Sequence, residues 1–302
     1  MPPAAAQRHA SPYRRPPPGR PLRVAFVGQR TYYQHAALHH EVPGLSPTFL
    51  DFRDPADAGV LRDELDELAP HVVVVFRPES IPAGLFADLP AAVLGFATSP
   101  LPKAGEAPYA PLEWNLSALR QADRANFDRV VSVYPTAWDS AADLLPMWRC
   151  MPLPVDDRLF RPVRRARRPP RIAFIGYSTV HREQSLLGVK HELDIGHYAF
   201  GLLGDELERV LDATDVGLCL HGEPWVETFE HTALVHLAAG HLLVAEPLVP
   251  TYGLEPGIDF LEVPEDLITN CAFGGPDRRT LYITCGKLLL SVRTRIPGRP
   301  LA

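Results

Sequence analysis

Small and hydroxyl-bearing residues follow a short apolar run in the second half of the chain. Gly176, Ser178 and Thr179 come after the run RIAFI, and Arg182 lies three residues beyond Thr179. Where a strand ends against a helix N-terminus, backbone N–H groups can bind an anion. A glycine lets the backbone approach that anion, hydroxyls donate to it, and an arginine can contact it in bidentate fashion. The pattern predicts a phosphate site; the alternative is that Gly176 only ends a strand and Arg182 is a surface charge.

Three glutamates lie between a predicted strand and a predicted helix further along the chain. They are Glu223, Glu227 and Glu230. In nucleotide sites built on parallel α/β sheets, a carboxylate that accepts hydrogen bonds from two ribose hydroxyls often holds the sugar. Helix capping and first-turn charge would explain the same residues without a ligand. Gly253, in a later loop, could contact the same nucleotide, and loop geometry alone would also account for it.

Histidines near the N-terminus offer a different chemistry. His35 and His39 are spaced i,i+4 and could bind zinc, or one of them could act as a catalytic base for an acceptor hydroxyl. No carboxylate or cysteine at matching spacing accompanies them, which favours histidines on a helix surface. The chain has no Asp-x-Asp, the pair that would hold a divalent ion on a diphosphate. We therefore expect no metal and no cofactor.

The elements that would position these side chains alternate between strand and helix patterns. Short apolar runs such as HVVVVF are typical of strands buried on both faces, and Leu61, Leu65 and Leu68 fall on one helical face. This alternation predicts an α/β fold with doubly wound parallel sheets. The run RIAFIGYST at 171–179 nearly repeats RVAFVGQRT at 23–31, so we expect two Rossmann-like units.

Changes in composition divide the chain further. Residues 1–21 are rich in Pro, Ala and Arg and are predicted to be a disordered leader. Residues 22–153 form the first predicted unit, 154–170 an Arg-rich solvated linker, 171–263 the second unit, and 264–302 a tail. In the tail, GGPD separates two runs of period two, which predicts a β-hairpin.

Overall charge and hydropathy exclude some partners. The 302 residues carry a formal net charge of −6, which argues against a nucleic-acid-binding protein. The longest apolar runs are strand-sized, far below the roughly 20 residues that a membrane helix needs. The leader has no hydrophobic segment of the secretory kind. We expect a cytoplasmic protein without a transmembrane segment.

Three stretches resemble GT-B glycosyltransferases of the spore-coat-type and family-1-like groups: PLPVDDRLFRP at 152–162, RIAFIGYSTVHREQSL at 171–186, and the segment at 215–263. The resemblance implies a nucleotide-sugar site in the second unit, with Glu230 facing the donor because it aligns with a Phe-Glu of that family. It also implies that Gly28 and the loop through Tyr33 face the acceptor.

The chain departs from the pattern of that family at two places. Such enzymes commonly carry Asn-Arg after the Phe-Glu and a second Glu before Ala-Ala-Gly, where this chain has His231-Thr232 and Val235. The departures imply weak donor binding or lost activity. Separately, Asn270, residues 273–277 and residues 280–284 resemble the closing blade of gluconolactonase-type β-propellers, and one blade cannot form a propeller.

These features favour a metal-independent glycosyltransferase that moves a hexose from a nucleotide-diphosphate sugar to a hydroxyl acceptor. One alternative is an inactive protein that binds nucleotide sugars or serves in interactions. A second alternative, suggested by the tail alone, is a sugar lactone hydrolase. Helix–strand alternation over residues 22–263 argues against that last hypothesis, because a propeller is built from blades of antiparallel strands.

Overall fold

The computed structural model divides the chain into two compact units, Met1–Asp156 and Asp157–Ala302. The residues that the structure describes are 13–30, 33, 38, 42–103, 109–135, 138–163, 167, 169–190, 193–199, 202–224, 229–249, 251–256, 258–262, 268–285 and 288–294. Side chains are described within these ranges except at residues 188, 261–262, 268–272, 284–285 and 288.

The first unit is built on one parallel sheet. Its strands are β1 (Leu22–Gly28), β2 (Leu45–Asp51), β3 (Val72–Phe76), β4 (Ala92–Ala97), β5 (Arg129–Ser132) and β6 (Met147–Cys150). Its described helices are α1 (Ala58–Leu68), α2 (Ala110–Leu119) and α3 (Trp138–Ala141). Within the described residues the strand order is β2-β1-β3-β4-β5-β6, all parallel, so the predicted α/β class is confirmed for this unit. Leu61 and Leu65 of α1 are buried, as their helical spacing predicts.

Tyr33 packs against β1 and β3, at the place where the strand order of the first sheet reverses. Its hydroxyl lies beside the carbonyl oxygen of Val27, lies 3.0 Å from that of Val74, and accepts a hydrogen bond of 3.1 Å from the N–H of Phe76. Burial raises the pKa of Tyr33. Gly28, at the end of β1, has a φ of +136°. Tyr33 is therefore a core residue, and its side chain is not presented to an acceptor as the resemblance implies.

The second unit contains a second parallel sheet. Its strands are β7 (Ile172–Ile175), β8 (Ile195–Tyr198), β9 (Val216–Cys219), β10 (Leu242–Ala245) and β11 (Leu261–Glu262). The helices described in this unit are α4 (Val180–Lys190), α5 (Gly204–Ala213) and α6 (His231–Ala238). Over the described part of the unit the order is β11-β10-β9-β7-β8. Chain order thus reverses between β7 and β9, and the Rossmann-like character predicted for this unit is confirmed.

Described residues of the predicted Arg-rich linker contact the second unit. Leu159 is buried in a short 3-10 helix, Asp157–Leu159, which lies against α6. Arg161 pairs with Glu208 of α5 at 3.1 Å, and Arg167 pairs with Asp215 at 3.2 Å. These contacts attach the described part of the segment to the second unit.

The tail forms a separate antiparallel sheet. Its strands are β12 (Ile268–Gly274), β13 (Thr280–Cys285) and β14 (Leu288–Arg293), in that order in the sheet. The predicted antiparallel pairing is present, with a third strand that the sequence pattern did not predict. Propeller blades have four strands, so the described tail is not a complete blade.

The tail sheet covers part of the second unit. Leu281 and Ile283 of β13 are buried and pack with Leu290 and Val292 of β14 and with Val244 of β10. The strand β12 also contacts α4. The appended segment therefore contributes to the core of this unit.

We predict that Ile283→Ala lowers the free energy of unfolding of the second unit by about 2–4 kcal/mol, because it removes buried methyl groups from this core. Tyr282, on the same strand but more than a third exposed, provides the control. Tyr282→Thr should cost less than about 1 kcal/mol. Urea denaturation followed by circular dichroism measures both; equal, small effects would show that the tail does not belong to the core.

A pair of buried histidines joins α6 to β10 and α5. His241 Nε2 donates to the carbonyl oxygen of Leu211 at 2.9 Å, because a carbonyl can only accept. The His241 Nδ1 is then unprotonated and accepts from His236 Nδ1 at 2.9 Å. A Cβ on Gly217 of β9 would lie 2.3 Å from the His236 ring, so a glycine is required there. Burial, followed by the unfavourable electrostatic interaction of a protonated His236 with His241, lowers the pKa of His236 to about 3.

This pair predicts a loss of stability in acid. The pKa of His236 is about 6.5 in the unfolded chain and lower when folded, so the unfolded state takes up a proton first as pH falls. The stability is full above about pH 6.5, and between pH 7.5 and pH 5 we expect a loss of about 2 kcal/mol. His236→Gln, which can still donate to His241 but does not titrate, should flatten the dependence in urea denaturation series. An unchanged slope in that variant would contradict the assignment.

Candidate functional site

The candidate site lies at the carboxyl ends of β7, β9 and β10 in the second unit. Parallel sheets of this kind bind ligands in the crevice where the strand order reverses, which here is between β7 and β9. Three segments meet at this edge: residues 176–182 after β7, residues 220–223 after β9, and Glu230 at the start of α6. Topology therefore brings together Gly176, Ser178, Thr179, Arg182 and Glu230, which the sequence had singled out.

Arg182 joins these segments through its guanidinium group. Its Nη2 lies 3.1 Å from Glu230 Oε1, its Nε donates to the Leu220 carbonyl at 3.1 Å, and its Nη1 donates to the Tyr177 carbonyl at 3.1 Å. Arg182 is only 3% exposed. The alternative that Arg182 is a surface charge is therefore wrong. Its guanidinium donates to protein groups and does not point outward toward an anion.

Two glycines make room for the side chains around Arg182. A Cβ on Gly176 would lie 2.9 Å from the Phe174 ring and 3.4 Å from the guanidinium carbon of Arg182. A Cβ on Gly222 would lie 3.1 Å from the Tyr177 hydroxyl. The guanidinium carbon itself lies 4.6 Å from the centre of the Tyr177 ring, a cation–π contact. Gly176 is needed here for close packing, beyond its place at the end of a strand.

Glu230 stands at the N-cap of α6 without capping it. The carboxylate makes no hydrogen bond to the first turn of that helix. Instead, Oε1 accepts from Gly222 N at 3.2 Å and pairs with Arg182. The side chain stays 26% exposed. The simple capping interpretation is wrong for Glu230, because its carboxylate is held at the crevice by two donors on a single oxygen.

The two hydroxyl residues bond to the start of α4. Thr179 Oγ1 accepts from the N–H of Arg182 at 3.1 Å, which is the usual geometry of an N-cap. Ser178 Oγ donates to Glu183 Oε1 at 2.8 Å, and this hydrogen bond lowers the pKa of Glu183. Both hydroxyls thus fix the first turn of the helix whose N-terminus reaches the crevice.

A second hydrogen-bonded pair, missed by the sequence reasoning, crosses the same edge. His181 Nε2 donates to Glu246 Oε1 at 2.7 Å, and Glu246 Oε2 accepts from His221 N at 2.6 Å. Glu246 follows β10, so its carboxylate connects the start of α4 with the end of β9. The available signal was the glutamate that directly follows the run HLLVA, and nothing in the sequence identified its partner 65 positions away.

The remaining predicted residues are distributed as follows. Glu223 is exposed in the segment after β9. Gly253 has a φ of +86° in a turn beside Tyr252, whose ring contacts that of Phe229 with centroids 5.1 Å apart. This turn therefore adjoins the residue before Glu230. Glu227, His35 and His39 lie outside the described residues, and their assignments stay predictions.

The two departures from the glycosyltransferase pattern lie on α6. Val235 is 2% exposed, so its position faces the interior of the unit. Thr232 Oγ1 lies 4.0 Å from the buried Sγ of Cys219. Neither residue supplies a charge at the crevice.

Within the described ranges, no group of three or more His, Cys, Asp or Glu residues is arranged as a metal site. No described helix combines the length and the apolar character needed to cross a bilayer.

We predict that Arg182→Met lowers the free energy of unfolding of the second unit by about 3 kcal/mol or more, because it leaves the Glu230 carboxylate without its cation and removes the donor to the Leu220 and Tyr177 carbonyls. Glu230→Gln is the matched variant, since its amide oxygen can still accept from Arg182. It should cost less than half as much in urea denaturation. Unchanged stability in Arg182→Met would show that the guanidinium does not hold these segments together.

Comparison with known proteins leaves the family open. No protein-family profile matches the chain, and no curated protein sequence matches it. Among solved structures, the Anabaena protein Alr3699/HepE in complex with UDP is similar, at 9% sequence identity and a TM-score of 0.41. The match covers 78% of this chain and 84% of the other. At this sequence identity and TM-score, the similarity supports no assignment of family or function to this chain.

Proposed function

We propose that the second unit binds a nucleotide-diphosphate sugar at the carboxyl edge of its sheet, and that the chain transfers the hexose to a hydroxyl acceptor. The observation that carries the proposal is the Glu230 carboxylate, fixed at the reversal of strand order with one oxygen held by Arg182 and Gly222. Acidic side chains at this point of Rossmann-like sheets bind the ribose hydroxyls of nucleotides.

The diphosphate would lie against the first turn of α4. Its backbone N–H groups and helix dipole favour an anion, and Ser178 and Thr179 fix that turn. Arg182 then acts as a positioning residue, since its guanidinium is bonded to protein groups. His181 also lies in the first turn of α4, and its Nε2 is bonded to Glu246. It would donate to a leaving diphosphate only with both ring nitrogens protonated.

The acceptor would bind to the first unit. A cavity of about 50 Å³ lies at the carboxyl ends of β3 and β4, lined by Arg77, Glu79, Thr98, Ser99 and Asn115 together with apolar side chains. A volume this small holds single hydroxyl-sized groups and not a whole sugar ring, so these residues would contact one hydroxyl of a larger acceptor. In this proposal His35 or His39 remains the candidate base, and the reaction uses no metal and no cofactor besides the donor.

An inactive nucleotide-sugar-binding protein is the second candidate, and one observation favours it. The Arg182 cation is paired with Glu230, and Thr232 and Val235 occupy the places of a charged pair in the glycosyltransferases that the chain resembles. Such a site would bind the donor with less stabilisation of the leaving group. Turnover distinguishes the two candidates.

Calorimetric titration with UDP-, GDP- and TDP-sugars tests the proposal. We expect at least one to bind, and Glu230→Gln to weaken that binding by about tenfold, because a charge-assisted hydrogen bond to ribose becomes a neutral one. Glu208→Gln, which removes an equal charge from α5, should leave the affinity within twofold. If no nucleotide sugar binds to the wild-type chain, the proposal is wrong.

Release of free sugar from the bound donor separates the enzyme from the inactive binder. Hydrolysis that is unaffected by EDTA would support a metal-independent transferase. Tight binding without any release would favour the inactive candidate.

A further inference from the structure

An exposed aromatic ring stands at the edge of the candidate site. Tyr177 lies two residues beyond the end of β7 and is 56% exposed, although its neighbours Phe174 and Arg182 are buried. Large aromatic side chains at binding sites commonly supply flat contact area at low entropic cost. Tyr177 thus presents a flat, solvent-accessible surface at the edge of the site.

The Tyr177 ring is fixed on the protein side. The Arg182 guanidinium carbon lies 4.6 Å from the ring centre, and Nη1 of the same group donates to the Tyr177 carbonyl at 3.1 Å. The hydroxyl lies close to Gly222, where a Cβ would be only 3.1 Å away. One face thus rests on a buried cation while over half of the residue surface remains open to solvent.

Tyr177 also lies beside the carboxylate that the proposed function assigns to ribose. Both Tyr177 and Glu230 contact Arg182, and Gly222 lies against the Tyr177 hydroxyl while it donates to Glu230. A flat ring next to a hydroxyl-binding carboxylate matches a nucleoside, in which a planar base is joined directly to ribose. An apolar ligand would match the ring but not the carboxylate.

We propose that Tyr177 is the platform on which the nucleobase of the donor stacks, an inference that rests on the proposed function. Base–aromatic stacking tolerates every base because each has a π-face. The platform therefore contributes affinity for the nucleoside part of the donor and not for its diphosphate. Tyr177 is in this sense a binding residue, with Arg182 holding it in place.

The test compares Tyr177→Leu and Tyr177→Phe by calorimetry with UDP, GDP and TDP, and with pyrophosphate by competition. We expect Tyr177→Leu to weaken the tightest nucleotide by about tenfold or more. Tyr177→Phe, which keeps the ring, should stay within threefold of wild type. Pyrophosphate affinity should be unchanged in both variants, which a merely structural role of the tyrosine would not allow.

Three results would overturn the platform: wild-type nucleotide affinity in Tyr177→Leu, an equal loss in Tyr177→Phe, or an equal loss of pyrophosphate binding in Tyr177→Leu. The first excludes stacking, the second assigns the effect to the hydroxyl, and the third to disruption of the site. Failure of the wild-type chain to bind any of the nucleotides would instead overturn the proposed function, and the platform with it.

Discussion

A buried arginine determines the geometry of the second unit at its candidate site. A guanidinium removed from water loses several kcal/mol of solvation, and that loss is offset only where its donors find good partners. Arg182 finds them in three separate segments, at Leu220, Tyr177 and Glu230. The interaction that satisfies the charge thereby aligns the ends of β7 and β9 with the start of α6.

The burial of the Arg182 guanidinium accounts for the residue types at several neighbouring positions. Gly176 lacks a side chain where Phe174 and Arg182 occupy the space, and a Cβ on Gly222 would come within 3.1 Å of the Tyr177 hydroxyl. Glu230 is turned away from its own helix by the same cation. The site that results combines a fixed carboxylate, a helix N-terminus and an exposed ring. On these grounds we propose a nucleoside diphosphate as the ligand, in preference to an inorganic anion or an apolar molecule.

Much of the fold could be predicted because the strands of a buried parallel sheet appear in the sequence as short, uninterrupted apolar runs. Runs such as HVVVVF are apolar on both faces, and the two copies of a strand ending in Gly indicated two similar sheets. The third strand of the tail and its packing on Val244 could not be predicted, because they depend on contacts between distant segments. The expectation that Tyr33 faces an acceptor was wrong for the same reason. No residue near Tyr33 in the sequence indicates that its hydroxyl bonds to β3.

The candidate site was predictable in composition but not in its connections. Residue type and position identified Arg182, and the resemblance to GT-B glycosyltransferases singled out Glu230. Their pairing nevertheless spans 48 positions, and the arginine binds protein groups instead of the expected anion. His181 and Glu246 were missed because each is ordinary in its own segment, and only the closed sheet brings them to 2.7 Å.

A double-mutant cycle between Arg182→Met and Glu230→Ala, in which each substitution alone removes the ion pair, tests the central role of the buried arginine most directly when measured by urea denaturation. If the guanidinium and carboxylate hold the site together, the two substitutions should be non-additive, with a coupling energy of about 1–3 kcal/mol. Additive effects, with a coupling energy near zero, would contradict the account.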